Sequence, residues 1–212
     1  MTRVFLLSPA STSGRRAEIL RRPEAQFDLA RRVRAGGAPI GEVFSFLSGL
    51  YFRGKLTYAT AFAPAGGVFV ITSSDGLVPP DRAVGLADLD RFASVDIDTT
   101  EPRYRAPLLR DLGALARTAP DAEVVLLGSI ATDKYVEPLR TAFGDRLRFP
   151  ADFAGRGDMS RGGLLLRCVE EARELAYVAV GAGARHGARP ERLKPQPGIL
   201  ARAMRRGDDR SR

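Results

Sequence analysis

The sequence predicts an α/β fold, in which a single domain has a mostly parallel or mixed central sheet flanked by helices. Two observations predict it. Short apolar runs rich in branched and aromatic residues begin at Arg3, Gly67, Glu123 and Arg146, as expected of buried strands. Segments with helical spacing separate these runs, and strands that alternate with helices favour a parallel sheet.

The first half of the chain contains two predicted strands. Residues 3–8, "RVFLLS", form the first strand, and "SPASTSG" breaks it. Helical spacing follows over residues 15–35, where Pro23 splits the pattern and two glycines end it. A turn at Ser48 and Gly49 precedes a helix over residues 51–62, and "VFVI" at residues 68–71 is the second strand.

The second half repeats this alternation. We predict a helix over residues 106–117, a strand from Glu123 and a helix from Asp133 that must accommodate Pro138. A short strand from Arg146 leads into "GRGDMSRGG", a further helix and a final strand in "AYVAV". These elements define a domain over residues 1–180.

Each predicted strand runs into a polar loop of small residues. Because the carboxyl ends of parallel strands meet at one edge of a sheet, we expect these loops to line one cleft. In the first loop, Ser8 and Ser11 precede a helix. Such hydroxyls bind a phosphate or carboxylate, or they simply cap the helix.

The helix over residues 51–62 carries a second candidate group. Tyr51, Lys55 and Tyr58 are three and four residues apart, so they share a face, and Arg53 is nearby. The group could bind an anion or a planar base, and Lys55 is a candidate catalytic residue. The alternative is an aromatic core stripe with a snorkelling lysine.

Asp75 and Asp133 follow the second and third strands and are candidates for a general base or for hydroxyl recognition. Turn and capping chemistry is the alternative for both. The single histidine, His186, disfavours histidine metal sites and serine–histidine triads, so we expect no metal. The sequence leaves any cofactor unknown.

The stretch "GRGDMSRGG" places Arg156 and Arg161 in a glycine-rich turn before a helix. Paired guanidinium groups make forked hydrogen bonds to phosphate or carboxylate. Asp158 caps the helix or pairs with an arginine, and Ser160 adds a hydroxyl. The alternative is a structural arginine–aspartate latch that fixes the loop.

Charge is concentrated at the C-terminus. Residues 181–212 hold nine Lys/Arg and three Asp/Glu, a net charge of +6, whereas residues 1–180 carry only +2. We expect this basic tail to be largely disordered, and either to bind nucleic acid or to be merely solvated. The lone Cys168 lies in an apolar run and predicts a buried thiol. No apolar stretch reaches the ~20 residues of a membrane span, which predicts a cytoplasmic protein without a membrane partner.

Several motifs together resemble the YaaA peroxide-stress family. "FLLSPAS" is similar to the family's first strand and "SPAK", with Ser11 at the lysine. "FLSGLYFRGKL" and "VITSSDGLVPPD" resemble two central elements, "LLGSIATDKY" places Tyr135 at a family tyrosine, and "GRGDMSR" matches the late arginine motif. The resemblance implies protection from iron-dependent peroxide damage, with DNA binding in some members.

Two functions follow as expectations. The first is a YaaA-like protein that binds nucleic acid or protects against oxidative stress, with the arginines on phosphate and Tyr51 or Tyr135 stacking on bases. The second is a transferase or hydrolase acting on a small anionic or nucleoside-like substrate. A scaffold protein without chemistry is a third alternative, and the oligomeric state is left open.

Overall fold

The computed structural model describes residues 2–180. The predicted α/β class is confirmed: helices flank a six-stranded mixed sheet within these residues. The basic tail over residues 181–212 lies outside the described residues.

The central sheet has the strand order β4-β3-β1-β6-β7-β8, and the four inner strands are parallel. The edge strands β4 and β8 are antiparallel to their neighbours, and β2 pairs with β5 in a separate small sheet. The strands are β1 (Arg3–Leu7), β2 (Ala38–Pro39), β3 (Val68–Ile71), β4 (Leu77–Val78), β5 (Ala83–Val84), β6 (Glu123–Leu127), β7 (Leu147–Pro150) and β8 (Tyr177–Ala179).

Eight α-helices lie within the described residues. They are α1 (Arg15–Arg21), α2 (Asp28–Arg34), α3 (Ile40–Ser48), α4 (Leu50–Phe62), α5 (Leu86–Ala93), α6 (Pro102–Thr118), α7 (Asp133–Phe143) and α8 (Asp158–Glu170). Helix α4 packs against α3 and α8, and α6 packs against α7. All four predicted inner strands are present, as are the helices expected at α1, α2, α4, α6, α7 and α8.

The connections from the two middle strands diverge. Helices α1 to α4 connect β1 to its neighbour β3 on one side, whereas α7 connects β6 to its neighbour β7 on the other side. Since crossovers between parallel strands are right-handed, these helices cover opposite faces of the sheet. The carboxyl ends of β1 and β6 therefore flank a crevice, which is where doubly wound sheets bind ligands.

Helices α4 and α8 meet backbone to backbone. A Cβ added to Gly54 would lie 2.7 Å from the carbonyl oxygen of Gly162, and a Cβ added to Gly162 would lie 2.7 Å from that of Leu50. Real Cβ atoms do not approach so closely, so glycine is required on both helices. This contact places the start of α8 beside the start of α4.

Two prolines lie inside helices, Pro107 in α6 and Pro138 in α7. Pro138 is the sixth residue of α7, so it cannot donate a hydrogen bond to the carbonyl of Lys134. The Tyr104 hydroxyl of α6 donates to that carbonyl at 2.8 Å instead. Helix α7 begins at Asp133 as predicted and accommodates Pro138 in its second turn, because α6 supplies the missing donor.

Some elements differ from the sequence-based expectation. Helices α3 and α5 and the short strands β2, β4 and β5 were not predicted. Helix α6 begins at Pro102, four residues earlier than expected, because Glu101 accepts a hydrogen bond from the Arg103 N–H and caps it.

Candidate functional site

A cavity of about 810 Å³ lies at the carboxyl edge of the sheet. Its walls come from the loop after β1, the start of α7, Ser73 after β3, and residues 92–102. We call it the crevice. The polar and charged residues that line it are Ser11, Thr12, Ser13, Ser73, Asp96, Asp98, Thr100, Glu101, Lys134 and Tyr135.

The loop after β1 offers backbone donors to the crevice. Among acceptors in residues 2–180, none receives a hydrogen bond from the N–H groups of Ala10, Ser11, Thr12 or Ser13. Arg21 fixes the loop by donating to the Thr12 carbonyl at 2.8 Å. The loop therefore presents amide hydrogens that a bound molecule can satisfy.

Residues 96–101, here called the acidic segment, give the crevice a negative wall. Hydrogen bonds from Thr100 lower the pKa of Asp98, and those from Arg103 lower the pKa of Glu101 to about 2. Both carboxylates are ionised at neutral pH. Among residues 2–180, Lys134 is the only basic residue that lines the crevice, so the negative charge of the crevice disfavours a strongly anionic ligand.

Lys55 is the most unusual ionisable group of the described chain. Its side chain is 1% exposed, and Nζ lies 2.6 Å from the Ser8 carbonyl oxygen and 2.8 Å from Ser8 Oγ. Nζ also lies 4.5 Å from the centre of the Tyr51 ring and 4.9 Å from that of Phe52. No carboxylate of residues 2–180 makes a salt bridge with it.

Burial lowers the pKa of Lys55 from its usual 10.5 to about 7. The charge of Asp158 acts in the opposite direction, and that of Arg161 lowers the pKa further. A large share of the amine is therefore unprotonated at neutral pH, which is the state that a general base needs.

Tyr51 and Tyr135 lie on either side of the sheet edge. Tyr51 is 7% exposed, and its hydroxyl has no hydrogen-bond partner among the described residues. Burial raises the pKa of Tyr51 to about 12, against the charge of Arg161. Burial and the neighbouring Tyr51 also raise the pKa of Tyr135, which lines the crevice. Tyr135 thus connects the crevice to the group around Lys55.

The two predicted arginines hold the loop before α8. The Arg161 guanidinium donates to the Phe153 carbonyl at 3.0 and 3.2 Å, stacks over the Phe153 ring and lies 3.8 Å from Asp158. Arg156 donates to the Asp152 carbonyl at 2.9 Å and to Ser160 at 3.3 Å. These contacts match the alternative prediction of a structural latch that fixes the loop, and neither arginine lines the crevice.

Asp75 is engaged in a surface network. It pairs with Arg82 at 2.6 Å and with Arg91 at 2.7 Å, while Ser74 donates to it at 2.9 Å. Burial alone would raise its pKa, but these donors outweigh burial and lower the pKa of Asp75 to about 2. Such a carboxylate is too weak a base to remove protons near neutral pH.

Asp133 and Arg53 lie away from the crevice. Asp133 begins α7 and lines a separate cavity of about 730 Å³ beside Glu137 and Arg140. Arg53 lines a groove of about 600 Å³ with Arg16 and the exposed Met159. Of the predicted site residues, the crevice is lined by Ser11 and Tyr135, and a buried group around Lys55 contains Ser8, Tyr51 and Arg161. The residues outside both are Arg53, Asp75, Asp133, Arg156 and Ser160.

Sequence reasoning missed the acidic segment and Lys134. The letters "DIDTTE" were interpreted as part of a polar excursion, although three acids within six residues were a visible signal. Lys134 offered no signal, because only the position of α7 brings it to the crevice.

Comparison with protein-family models, with curated proteins and with solved structures finds no match to this chain. The YaaA resemblance therefore rests on motifs alone. Within residues 2–180, no three metal-ligating side chains cluster, and no helix is both long and apolar enough to cross a bilayer.

Proposed function

We propose that this protein is a cytoplasmic enzyme acting on a small, hydroxyl-bearing, nucleoside-like molecule bound in the crevice. The observation that carries the proposal is the position of the crevice, where the connections from β1 and β6 diverge. Its volume of about 810 Å³ is in the range of small-molecule sites.

The lining of the crevice supports a neutral or cationic ligand. Ionised Asp98 and Glu101 accept hydrogen bonds from hydroxyl groups, as acidic residues do from ribose in doubly wound folds. The rings of Phe44, Phe92 and Tyr135 offer apolar contact to a planar group. Of the two substrate classes predicted from the sequence, the nucleoside-like class fits this lining better than the anionic class.

The buried Lys55 favours an enzyme over a scaffold. Burying an amine without a carboxylate partner costs roughly several kcal/mol, and a scaffold protein has no need of such a buried amine. A lysine with a pKa near 7 suits proton transfer at neutral pH. This group lies next to Tyr51, which neighbours the crevice residue Tyr135.

Thermal unfolding of the full chain with adenosine, uridine, ribose and AMP tests the proposal. A ligand at about 100 times its Kd stabilises the fold by about 2.7 kcal/mol. We expect a neutral nucleoside or sugar to raise the midpoint temperature, and Asp98→Asn to weaken the effect. Asp121→Asn is the matched control, since Asp121 precedes β6 and does not line the crevice.

Two results would contradict this proposal. One is that no neutral hydroxyl compound stabilises the protein. The other is that AMP stabilises it most and that Arg161→Ala abolishes the effect, which would assign the site to an anion clamp.

A second candidate function is nucleic-acid binding in protection from oxidative stress. It is favoured by the net charge of +6 on residues 181–212 and by the YaaA resemblance. We expect DNA retention at low salt, marked weakening near 200 mM salt, and a flatter salt dependence after removal of residues 182–212. Absence of DNA and RNA retention by the full chain at low salt would exclude this function.

A further inference from the structure

Ser8 is the first residue after β1, and its position suits a nucleophile. The strand ends at Leu7, residues 9–13 line the crevice, and α1 begins at Arg15, so Ser8 lies between the strand and the crevice lining. The Ser8 hydroxyl lies at the carboxyl end of β1, where Oγ is 2.8 Å from Lys55 Nζ. Ser8 is 6% exposed, so the hydroxyl is shielded from bulk water without being fully enclosed.

The Lys55 amine has geometry for accepting the Ser8 proton. Nζ and Ser8 Oγ are 2.8 Å apart, a distance that suits a hydrogen bond in either direction. A neutral amine has two N–H groups and one lone pair. In the structure Nζ donates to the Ser8 carbonyl at 2.6 Å, while the Ser8 hydroxyl donates to the Leu127 carbonyl at 3.4 Å. Rotation of that hydroxyl away from Leu127 brings its proton to the lone pair of the neutral amine.

We propose that Ser8 is a catalytic nucleophile and Lys55 its general base, in an enzyme that hydrolyses neutral acyl esters of hydroxyl-bearing molecules. This inference rests on the proposed function of the crevice as the place where that molecule binds. Serine–lysine pairs carry out such acyl transfer on unrelated folds.

The chemistry balances with water as the only co-reactant. Ser8 Oγ forms a bond to the ester carbonyl carbon while its proton moves to Lys55 Nζ. The bond from that carbon to the leaving alcohol breaks, and the alcohol oxygen takes the proton from Nζ. Water then attacks the acyl-serine, passes one proton to Nζ, and releases the carboxylic acid as Ser8 Oγ recovers a proton.

The surroundings of Ser8 select the ester. The N–H groups of Ala10, Ser11, Thr12 and Ser13 have no acceptor in residues 2–180, and they are donors for the oxyanion of the tetrahedral intermediate. The acidic segment repels a phosphate or carboxylate on the leaving group and accepts hydrogen bonds from its hydroxyls. Neutral acyl esters of polyols or nucleosides meet both conditions.

Several groups face the amine and set its pH dependence. Ser8 contacts it directly, the rings of Tyr51 and Phe52 cover it, and the charges of Asp158 and Arg161 act on it from α8 in opposite directions. Tyr51 stays neutral below about pH 12. Reaction at Ser8 should therefore rise with pH and level off above a single midpoint near pH 7.

Labelling of the full chain with an uncharged alkyl fluorophosphonate tests the inference. Ser8 Oγ displaces fluoride from phosphorus and its proton passes to Lys55, so one adduct forms per chain. Peptide mass spectrometry should locate the adduct on Ser8. Ser8→Ala should lose it, and Ser94→Ala, which removes an exposed hydroxyl bonded to the Arg91 carbonyl, should keep it.

The lysine is tested by rate. Lys55→Met should slow labelling by about 100-fold, the usual contribution of a general base. If that variant does not fold, the pH profile of the wild-type chain serves instead. Labelling on another residue, an unchanged rate in Lys55→Met or a profile without a midpoint between pH 6 and 8 would overturn the inference.

The proposed function of the crevice is tested independently of the serine–lysine chemistry. Nucleoside stabilisation measured on Ser8→Ala reports crevice binding without the nucleophile. Stabilisation without labelling in the wild type would retain the crevice and remove the serine–lysine chemistry.

Discussion

The burial of Lys55 predicts a stability that rises with pH. Its side chain is 1% exposed, and the pKa of its amine is lowered from 10.5 to about 7 in the folded chain. Between these values the unfolded chain holds a proton that the folded chain has released. Stability rises with pH wherever the unfolded state binds more protons.

The magnitude follows from linkage. One such group contributes about 1.4 kcal/mol per pH unit within that window. From pH 7.5 to pH 9.0, the free energy of unfolding should therefore increase by about 2 kcal/mol through Lys55 alone. Below pH 7 the amine is charged in both states, and the full cost of burying that charge remains.

Urea denaturation of the wild type and Lys55→Met at pH 7.5, 8.2 and 9.0 measures this slope. Cys168, whose pKa burial raises, and the buried tyrosines are common to both chains, so their titration cancels in the difference. The difference between the two chains should grow by about 2 kcal/mol over this range. A difference constant within about 0.5 kcal/mol, the error of additivity, would show that the amine stays protonated and would refute the base assignment.

Three further predictions follow from the packing. In thermal unfolding, Gly54→Ala should destabilise the fold by about 3 kcal/mol, because the new Cβ would meet the backbone of Gly162. The control Gly113→Ala adds a Cβ with only an ordinary contact at 3.5 Å, so it should be neutral or stabilising by up to about 1 kcal/mol. Tyr104→Phe should cost about 1–2 kcal/mol in urea denaturation by leaving the Lys134 carbonyl unpaired. The wild-type chain should lose stability between about pH 4 and pH 2, because the ionised Asp75 stabilises the fold above its unfolded pKa of 3.8 and is protonated near its folded pKa of about 2. Asp75→Asn should make this loss smaller. Equal acid titration curves for both chains would contradict the pairing with Arg82 and Arg91.

The inner strands were predictable because burial dominates their sequences. The runs around Phe5, Val70, Val125 and Phe149 are apolar and β-branched or aromatic, and each becomes a parallel strand. Helix α5 was missed because its apolar residues, among them Leu89 and Phe92, alternate with acids after a proline-rich loop. Tertiary burial of those two side chains decided its structure.

The site was predictable only in part. Sequence reasoning named Ser8, Lys55, Tyr51 and Arg161 as candidates. Their proximity depends on how α4 packs against β1 and α8, which no local pattern reveals. The salt bridges of Asp75 were hidden for a related reason. Its partner Arg91 lies on α5, a helix that was not predicted.

The glycine contact between α4 and α8 has a consequence for synthesis on the ribosome. Gly54 and Gly162 are separated by about half the chain, so α4 emerges from the exit tunnel long before its partner exists. Until then Gly54 and the ring of Tyr51, which packs against Phe153 in the folded chain, lack these partners. Nascent chains should therefore be most vulnerable to chaperone capture and proteolysis in the interval that ends when α8 becomes available.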